Sequence, residues 1–172
     1  IINDLLSLVK MDKTASNMNI QSVSMNELVE KILKRLRPIA TKQNVEVVYQ
    51  SFRPVTAEID EVKLSLAITN LVENAIKYNR PSGSVTVSIH SAESAVLEVT
   101  DTGIGISPEN QEKIFDPFYR VDKSRSRAMG GAGLGLALVS EIARQHNGQV
   151  KVTQSSEKGS TIALILPEST DY

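Results

Sequence analysis

Three groups of residues in this 172-residue chain have types and spacings that could do chemistry. Asn70, Asn74 and Lys77 are spaced i, i+4, i+7 and so share one face of a helix. Polar side chains on an otherwise apolar helix need partners. Amide oxygens suit a hard cation such as Mg²⁺, and an ammonium suits phosphate. Asp101 stands before Gly103 and Gly105. A carboxylate is acceptor-only, so it can take the exocyclic amine of adenine and would repel the carbonyl that guanine presents there. Gly131, Gly133 and Gly135 lead into a helix start, where free amides and the dipole favour anions. Between the glycine clusters, Arg120, Lys123, Arg125 and Arg127 face only Asp122, a local +3 on a chain of net charge -1. That segment reads as a positive, mobile lid over a phosphate-bearing ligand. Each feature alone also has an ordinary reading: amides satisfied by backbone, an Asx-turn, a solvated charged loop. Their order along the chain is what joins them.

The elements that must position these residues follow from periodicity. Asn19 to Val23 alternates as a strand. Ser24 with Glu27 forms a capping box for a helix whose buried face is Leu28, Ile32, Leu33, Leu36 and Ile39, fading near Gln43-Asn44. Val45 to Phe52 and Val55 to Ile59 read as strands separated by Pro54. Asp60 caps the next helix, which runs to about Tyr78. Its apolar set Val62, Leu64, Leu66, Ile68, Leu71, Val72, Ala75 and Ile76 wraps more than one face, so it should be largely buried. Strands follow at Val85 to Ile89 and at Val96 to Val99, the second running into Asp101. Ser107-Pro108 opens a short helix to Phe115. After the lid, Gly133 to His146 is a helix ended by Asn147-Gly148, and two strands close the chain around Glu157-Lys158-Gly159. The fold class is α/β: a two-layer sandwich, with a mixed sheet and long helices on one face.

Composition narrows the function classes. Hydrophobic residues are 41% and charged residues 23%, ordinary for a globular domain. The near-neutral charge gives no support for nucleic-acid binding or for direct membrane contact by this domain. Cysteine is absent, which excludes disulfides and thiol catalysis. No apolar run approaches the ~18 residues of a membrane span. Residues 1–14 carry a helical stripe, Ile2, Leu5, Leu6 and Val9, with no partner inside the segment; it reads as the end of a longer helix. Residues 15–19 are a linker, 20–168 the main domain and 169–172 a tail.

Asn70-Leu71-Val72-Glu73-Asn74-Ala75-Ile76-Lys77-Tyr78 resembles the N box of sensor histidine kinases, and Asp101-Thr102-Gly103-Ile104-Gly105 their first glycine box. Phe115-Asp116-Pro117-Phe118-Tyr119-Arg120 is similar to their F box, Gly131-Ala132-Gly133-Leu134-Gly135-Leu136 to the second glycine box, and Gly159-Ser160-Thr161 to the final glycine turn. The resemblance covers about residues 20–167. The wider superfamily includes type II topoisomerases, ninety-kilodalton heat-shock chaperones and mismatch-repair ATPases. The Phe-Tyr-Arg element and Gly-Leu-Gly-Leu argue for the kinase branch.

The resemblance implies a Bergerat-type catalytic domain that binds ATP with Mg²⁺. Asp101 would bind the adenine amine, with Gly103, Gly105, Ile106 and Thr161 around it. Asn74 would ligate Mg²⁺, with Asn70 beside it. Lys77 and Tyr78 would contact phosphates and base or sugar. Lys77 and Arg120 would be the catalytic cations, Arg120 reaching the γ-phosphate next to Tyr119. Gly131, Gly133, Leu134 and Gly135 would line the phosphates. The implied partners are a dimerisation domain carrying the phosphoacceptor histidine and the receiver domain of a response regulator. The implied location is cytoplasmic, with a parent protein anchored in the bacterial membrane. Ala132 and Asn79 depart from the usual Thr, and Ser or Thr. Only His90 and His146 are present, and neither has the acidic neighbour of a phosphoacceptor, so the acceptor is expected to precede this sequence. The alternatives are a degenerate kinase acting as an ATP-dependent interaction module, or a conformational ATPase of the same superfamily.

Overall fold

The computed structural model describes residues 18–51, 53–91, 94–116 and 135–167. The helix expected in residues 1–14, most of the linker, the lid and the tail lie outside them.

Strand β1 (Ile20–Ser24) pairs antiparallel with β3 (Thr56–Asp60), and together they form a separate two-stranded ribbon. Helix α1 (Met25–Lys42) starts where Ser24 turns extended and its hydroxyl accepts the Glu27 N–H at 3.3 Å. Leu28, Ile32, Leu33 and Leu36 are buried as their spacing predicts, but Ile39 is not; it is 44% exposed. Its angular position matches that of Leu28, at roughly 100° per residue. The last turn of α1, however, overhangs a shallow groove that Ile39 lines with Gln43, Glu73, Ile76 and Lys77, and Ala40 takes the core position.

Helix α2 (Glu61–Lys77) begins at Asp60, whose Oδ1 accepts the Lys63 N–H at 3.1 Å while Oδ2 accepts from Asn19 N–H. Leu64, Ala67, Ile68, Leu71, Val72, Ala75 and Ile76 are buried. Val62 is 79% exposed and Leu66 only half-buried, against expectation. At roughly 100° per residue the buried side chains fill an arc of about 180°, and these two fall outside it.

The main sheet has the order β2-β4-β5-β7-β6, from β2 (Glu46–Ser51), β4 (Ser84–Ser91), β5 (Ser94–Asp101), β6 (Gln149–Ser156) and β7 (Gly159–Pro167). Strands β2 and β4 are parallel and the other pairs antiparallel, so the sheet is mixed. Val85, Val87, Ile89, Ala95, Leu97, Val99, Ile162, Leu164 and Leu166 turn to the helices and are buried. Alternation sends Thr86, Ser88, His90 and Glu98 to the other face, where His90 Nε2 meets Glu98 Oε1 at 2.6 Å. Helix α1 lies on β2, α2 on β4 and β5, and α3 (Gly135–Gln145) on β6 and β7, giving two layers. The helix expected from Ser107 is instead two 3₁₀ turns, Pro108–Asn110 and Lys113–Phe115. The Ser107 hydroxyl accepts the Asn110 side-chain amide at 2.7 Å rather than capping backbone. Asp116 is extended, as a residue before Pro117 prefers, so no helix continues.

Helix α3 ends in a Schellman motif: Asn147 has φ 59, Gly148 N–H donates to Ala143 O at 2.8 Å and Asn147 N–H to Arg144 O at 3.0 Å. The capping histidine, His146, is buried. Its Nδ1 meets Ile142 O at 2.7 Å, and its Nε2 accepts the Asp60 N–H at 3.1 Å. A backbone N–H can only donate, so Nε2 is unprotonated and the imidazole is the neutral Nδ1–H tautomer. Burial pushes its pKa below the ordinary value, with Lys63 adding to the effect and Ile142 and Asp60 opposing it.

A depressed histidine pKa contributes stability above the ordinary value of ~6.5, and this is lost as pH falls through the folded-state value. We expect His146→Ala to lose about 1–3 kcal/mol at pH 7.5, because the buried Asp60 N–H is left unpaired. The gap to wild type should narrow as pH falls below about 6.5, because wild type alone loses the imidazole contribution. Urea unfolding across that range checks it; a gap independent of pH contradicts the assignment.

Candidate functional site

Asn70, Asn74, Lys77 and Tyr78 are half-buried along the edge and C-terminal end of α2. Asn70 Nδ2 donates back to Leu66 O at 2.9 Å, which leaves Oδ1 as the outward atom. That oxygen faces Gly135, where an added Cβ would come within 3.1 Å of it. The last glycine of the second cluster thus sits against the asparagine stripe. Lys77 Nζ lies 5.6 Å from the centre of the Tyr78 ring, a cation–π distance.

Asp101 ends β5 on the helix-facing side, two residues after Val99, and is half-buried. Its Oδ1 accepts the Gly103 N–H at 2.9 Å. Burial pushes its carboxyl pKa up, while the backbone bonds from Gly103 and Ser160 pull it back. The loop beyond it is held by close approaches. A Cβ at Gly103 would lie 2.5 Å from Tyr78 O, so the loop packs directly on the end of α2. Gly105 has φ +79 and a Cβ there would strike Ser156 O. A Cβ at Gly159 would strike Asp101 O, and Ile106 N–H donates to the Ser155 hydroxyl at 2.6 Å. The β6–β7 turn and the helix end therefore grip the glycine loop from two sides.

Of the residues expected from sequence, the structure brings Asn70, Asn74, Lys77, Tyr78, Asp101, Gly103, Gly105, Ile106 and Gly135 to this end of the sandwich. Thr161 is not on the same side. It pairs with Thr100 across β5–β7, and their hydroxyls bond at 2.9 Å on the face away from the helices. Ser160, paired with Asp101, is the hydroxyl residue on the Asp101 side. The sequence reading missed Ser160 because register, not composition, decides which of two adjacent residues faces in. The signal available was a hydroxyl directly after Gly159. Ser155 and Thr102 were also missed. Tyr119, Arg120, Gly131, Gly133 and Leu134 lie outside the described residues. Among the described residues, no cluster of three or more His, Asp or Glu side chains could hold a metal ion.

The raised carboxyl pKa has a stability consequence. A group raised in the folded state contributes stability at low pH that is lost as pH rises through its folded value, so ionised Asp101 weakens the empty domain at pH 7. Asp101→Asn keeps an oxygen for Gly103 N–H and removes the charge. We expect it to raise the melting temperature of the nucleotide-free protein by roughly 1–3 °C at pH 7. Scanning calorimetry checks this; a lowered melting temperature contradicts it.

The family model described as histidine kinase-, DNA gyrase B-, and HSP90-like ATPase matches residues 59–170. The sensor protein kinase WalK of Staphylococcus epidermidis is 37% identical over 172 residues, covering 97% of this chain. The sensor histidine kinase WalK of Bacillus subtilis is 37% identical over 171 residues with the same coverage. The chain spans 28% of the length of these two relatives. Among solved structures, the mycobacterial sensor histidine kinase MprB is 29% identical with a TM-score of 0.75, covering 86% of this chain and 97% of that one. Full-length ShkA in complex with AMPPNP has a TM-score of 0.84 at 24% identity over 98% of this chain and 36% of that one, a likeness of fold. With a polar helix edge, a carboxylate at a strand end and glycine loops meeting between two layers, and with a match across residues 59–170, the chain belongs to the histidine kinase-, DNA gyrase B- and HSP90-like ATPase family.

Proposed function

We propose that this domain binds ATP with Mg²⁺ and transfers the γ-phosphoryl group to a histidine on a dimerisation domain of its parent protein, for relay to a response regulator. The observation that carries this reading is the half-buried Asp101 carboxylate, aimed from a strand end and pinned by a loop packed on the end of α2. An acceptor-only group costs free energy to bury unless a donor completes it, and the adenine amine is such a donor. The likeness to the WalK sensor kinases supports the kinase branch.

The residues fit Mg²⁺. The ion takes a few hard oxygen ligands and keeps waters and phosphate oxygens for the rest, so it needs no carboxylate cage. Asn74 supplies an amide oxygen, with Asn70 beside it. When bound, the ion neutralises charge on the phosphates. On this reading Lys77 would bring positive charge to the γ-phosphoryl group; the roles the resemblance implies for Arg120 as a second cation and for the amides of Gly131, Gly133, Leu134 and Gly135 at the phosphates would complete the site. The acceptor imidazole nitrogen attacks the γ-phosphorus, and the bond to the bridging oxygen breaks with its electron pair going to ADP. Glu73 is exposed and sits about 100° around the helix from Asn74, a poor place from which to activate water. This weighs against a hydrolytic reading. Among the described residues no helix is long and apolar enough to cross a membrane. We place this domain in the cytoplasm beneath a membrane anchor elsewhere in the parent.

Calorimetric titration tests the nucleotide assignment. Losing a charge-assisted bond in a closed pocket costs roughly 1.5–3 kcal/mol, or ~10- to 150-fold. Asp101→Asn should weaken ATP binding by at least about tenfold, and wild type should prefer ATP to GTP. Equal affinities for wild type and variant would sink the assignment.

Transfer is tested with γ-labelled ATP. Neither histidine here suits the acceptor role: His146 has both ring nitrogens engaged in the core, and His90 pairs with Glu98 on the sheet face away from the helices. The chain alone should acquire no acid-labile label, and an added dimerisation domain should acquire it. Arg120→Ala should reduce that transfer by ~10²-fold or more while ADP affinity changes little, as for a single transition-state donor. Stoichiometric label on this chain, abolished by His146→Ala or His90→Ala, would overturn the proposal.

A further inference from the structure

Asn79 follows the cap residue of α2 and stands where the resembled kinases usually carry Ser or Thr. Its side chain is buried, at 9% exposure, and three polar groups use it. Nδ2 donates to Ser84 O at 2.8 Å, and Oδ1 accepts both Arg80 N–H and the Thr102 hydroxyl at 2.8 Å. Ser84 N–H in turn donates to Thr102 Oγ1 at 2.9 Å. Asn79, Ser84 and Thr102 thus close a ring of hydrogen bonds in which each bond polarises the next. Thr102 is the residue directly after Asp101, and Ser84 opens β4. The ring leaves no room beside it. A Cβ on Gly83 would lie 2.5 Å from Thr102 Oγ1 and would also strike Asn79 Oδ1. One residue beyond Thr102, Gly103 is pressed on Tyr78 O.

We propose that Asn79 is a positioning residue for nucleotide recognition: its amide ties the loop that carries Asp101 to the C-terminal end of α2, and so sets the span between Asp101 and the Asn74–Lys77 edge. This rests on the nucleotide-binding reading above. A carboxamide suits the task because it offers donors at one end and an acceptor at the other. A serine hydroxyl also donates once and accepts, but it is one bond shorter and carries both functions on a single atom, so it holds Ser84 O and Thr102 together less well. Both ends of the ligand are addressed by the two elements that the ring joins. Loosening the ring leaves every contacting residue in place and lets their separation drift, at a cost in affinity.

The test uses the 172-residue chain with ADP and Mg²⁺ in calorimetric titrations, alongside scanning calorimetry. Asn79→Ala and Thr102→Val should each weaken ADP binding by about tenfold, and the double variant by little more than either alone, because both open the same ring. Asn79→Ser should fall between wild type and Asn79→Ala. Val29→Ala, in the core of α1, serves as the control: it should lower the melting temperature and leave ADP affinity unchanged. Should Asn79→Ala fail to fold, Asn79→Ser and Thr102→Val carry the comparison. Variants that bind ADP as tightly as wild type, or a Val29→Ala that loses ADP affinity as much as they do for the same loss of stability, overturn the positioning role and leave the nucleotide reading standing. Wild type that binds no ADP overturns both.

Discussion

The packing of the Asp101 loop against the end of α2 is the constraint on which the rest of the site depends. Backbone meets backbone there without an intervening side chain, and Gly103 is what allows it. The contact joins the strand that delivers a carboxylate to the helix that delivers two amides and an ammonium. Neither element alone makes a binding surface. Brought together, they set an acceptor at one end and two amides and an ammonium along the other, the arrangement on which the proposed nucleotide site rests.

The carboxylate at the centre is held at some cost to the empty domain. Burial raises its pKa, and among the described residues the backbone N–H groups of Gly103 and Ser160 oppose that. On the proposed reading, a donor arriving with the nucleotide would complete what the fold leaves incomplete. Binding energy and folding energy would then be coupled at one side chain, which is how functional sites come to oppose stability.

The opposite end of α2 is held by a different device. Asp60 caps the helix with its carboxylate and gives its own N–H to His146 at the end of α3, while Lys63 Nζ donates to Gln145 at 3.1 Å. Helices α2 and α3 are therefore tied at the end remote from Asp101. That fixes their spacing and lets Gly135 meet Asn70 at the start of α3. A buried neutral histidine does this work in the core, which is why its position near a helix end carries no implication of catalysis.

Much of this was legible in the sequence because it is local. Ser24 and Asp60 as caps, Asn147-Gly148 as a stop, and the stripe from Asn70 to Lys77 follow from chemistry within one or two turns of chain. Alternation in β4 and β5 told which residues face the helices. Other features depend on contacts between distant residues. The choice of Ser160 over Thr161 follows from the β5–β7 register, and the bulge between Val152 and Gln154 shifts β6 so that Ser155 pairs with Ser160 and its hydroxyl reaches Ile106. Ile39 is apolar yet exposed because the last turn of α1 extends past what covers it, and Val62 because it falls outside the buried arc of α2. Asn79, Ser84 and Thr102 form a ring only when a helix end, a strand start and a loop converge. The sequence determined which elements form and which chemistry they carry, since propensity, capping and period are properties of neighbouring residues. The tertiary structure alone decided which side chains share a face and a hydrogen bond, since register and close approach are set by residues far apart in the chain.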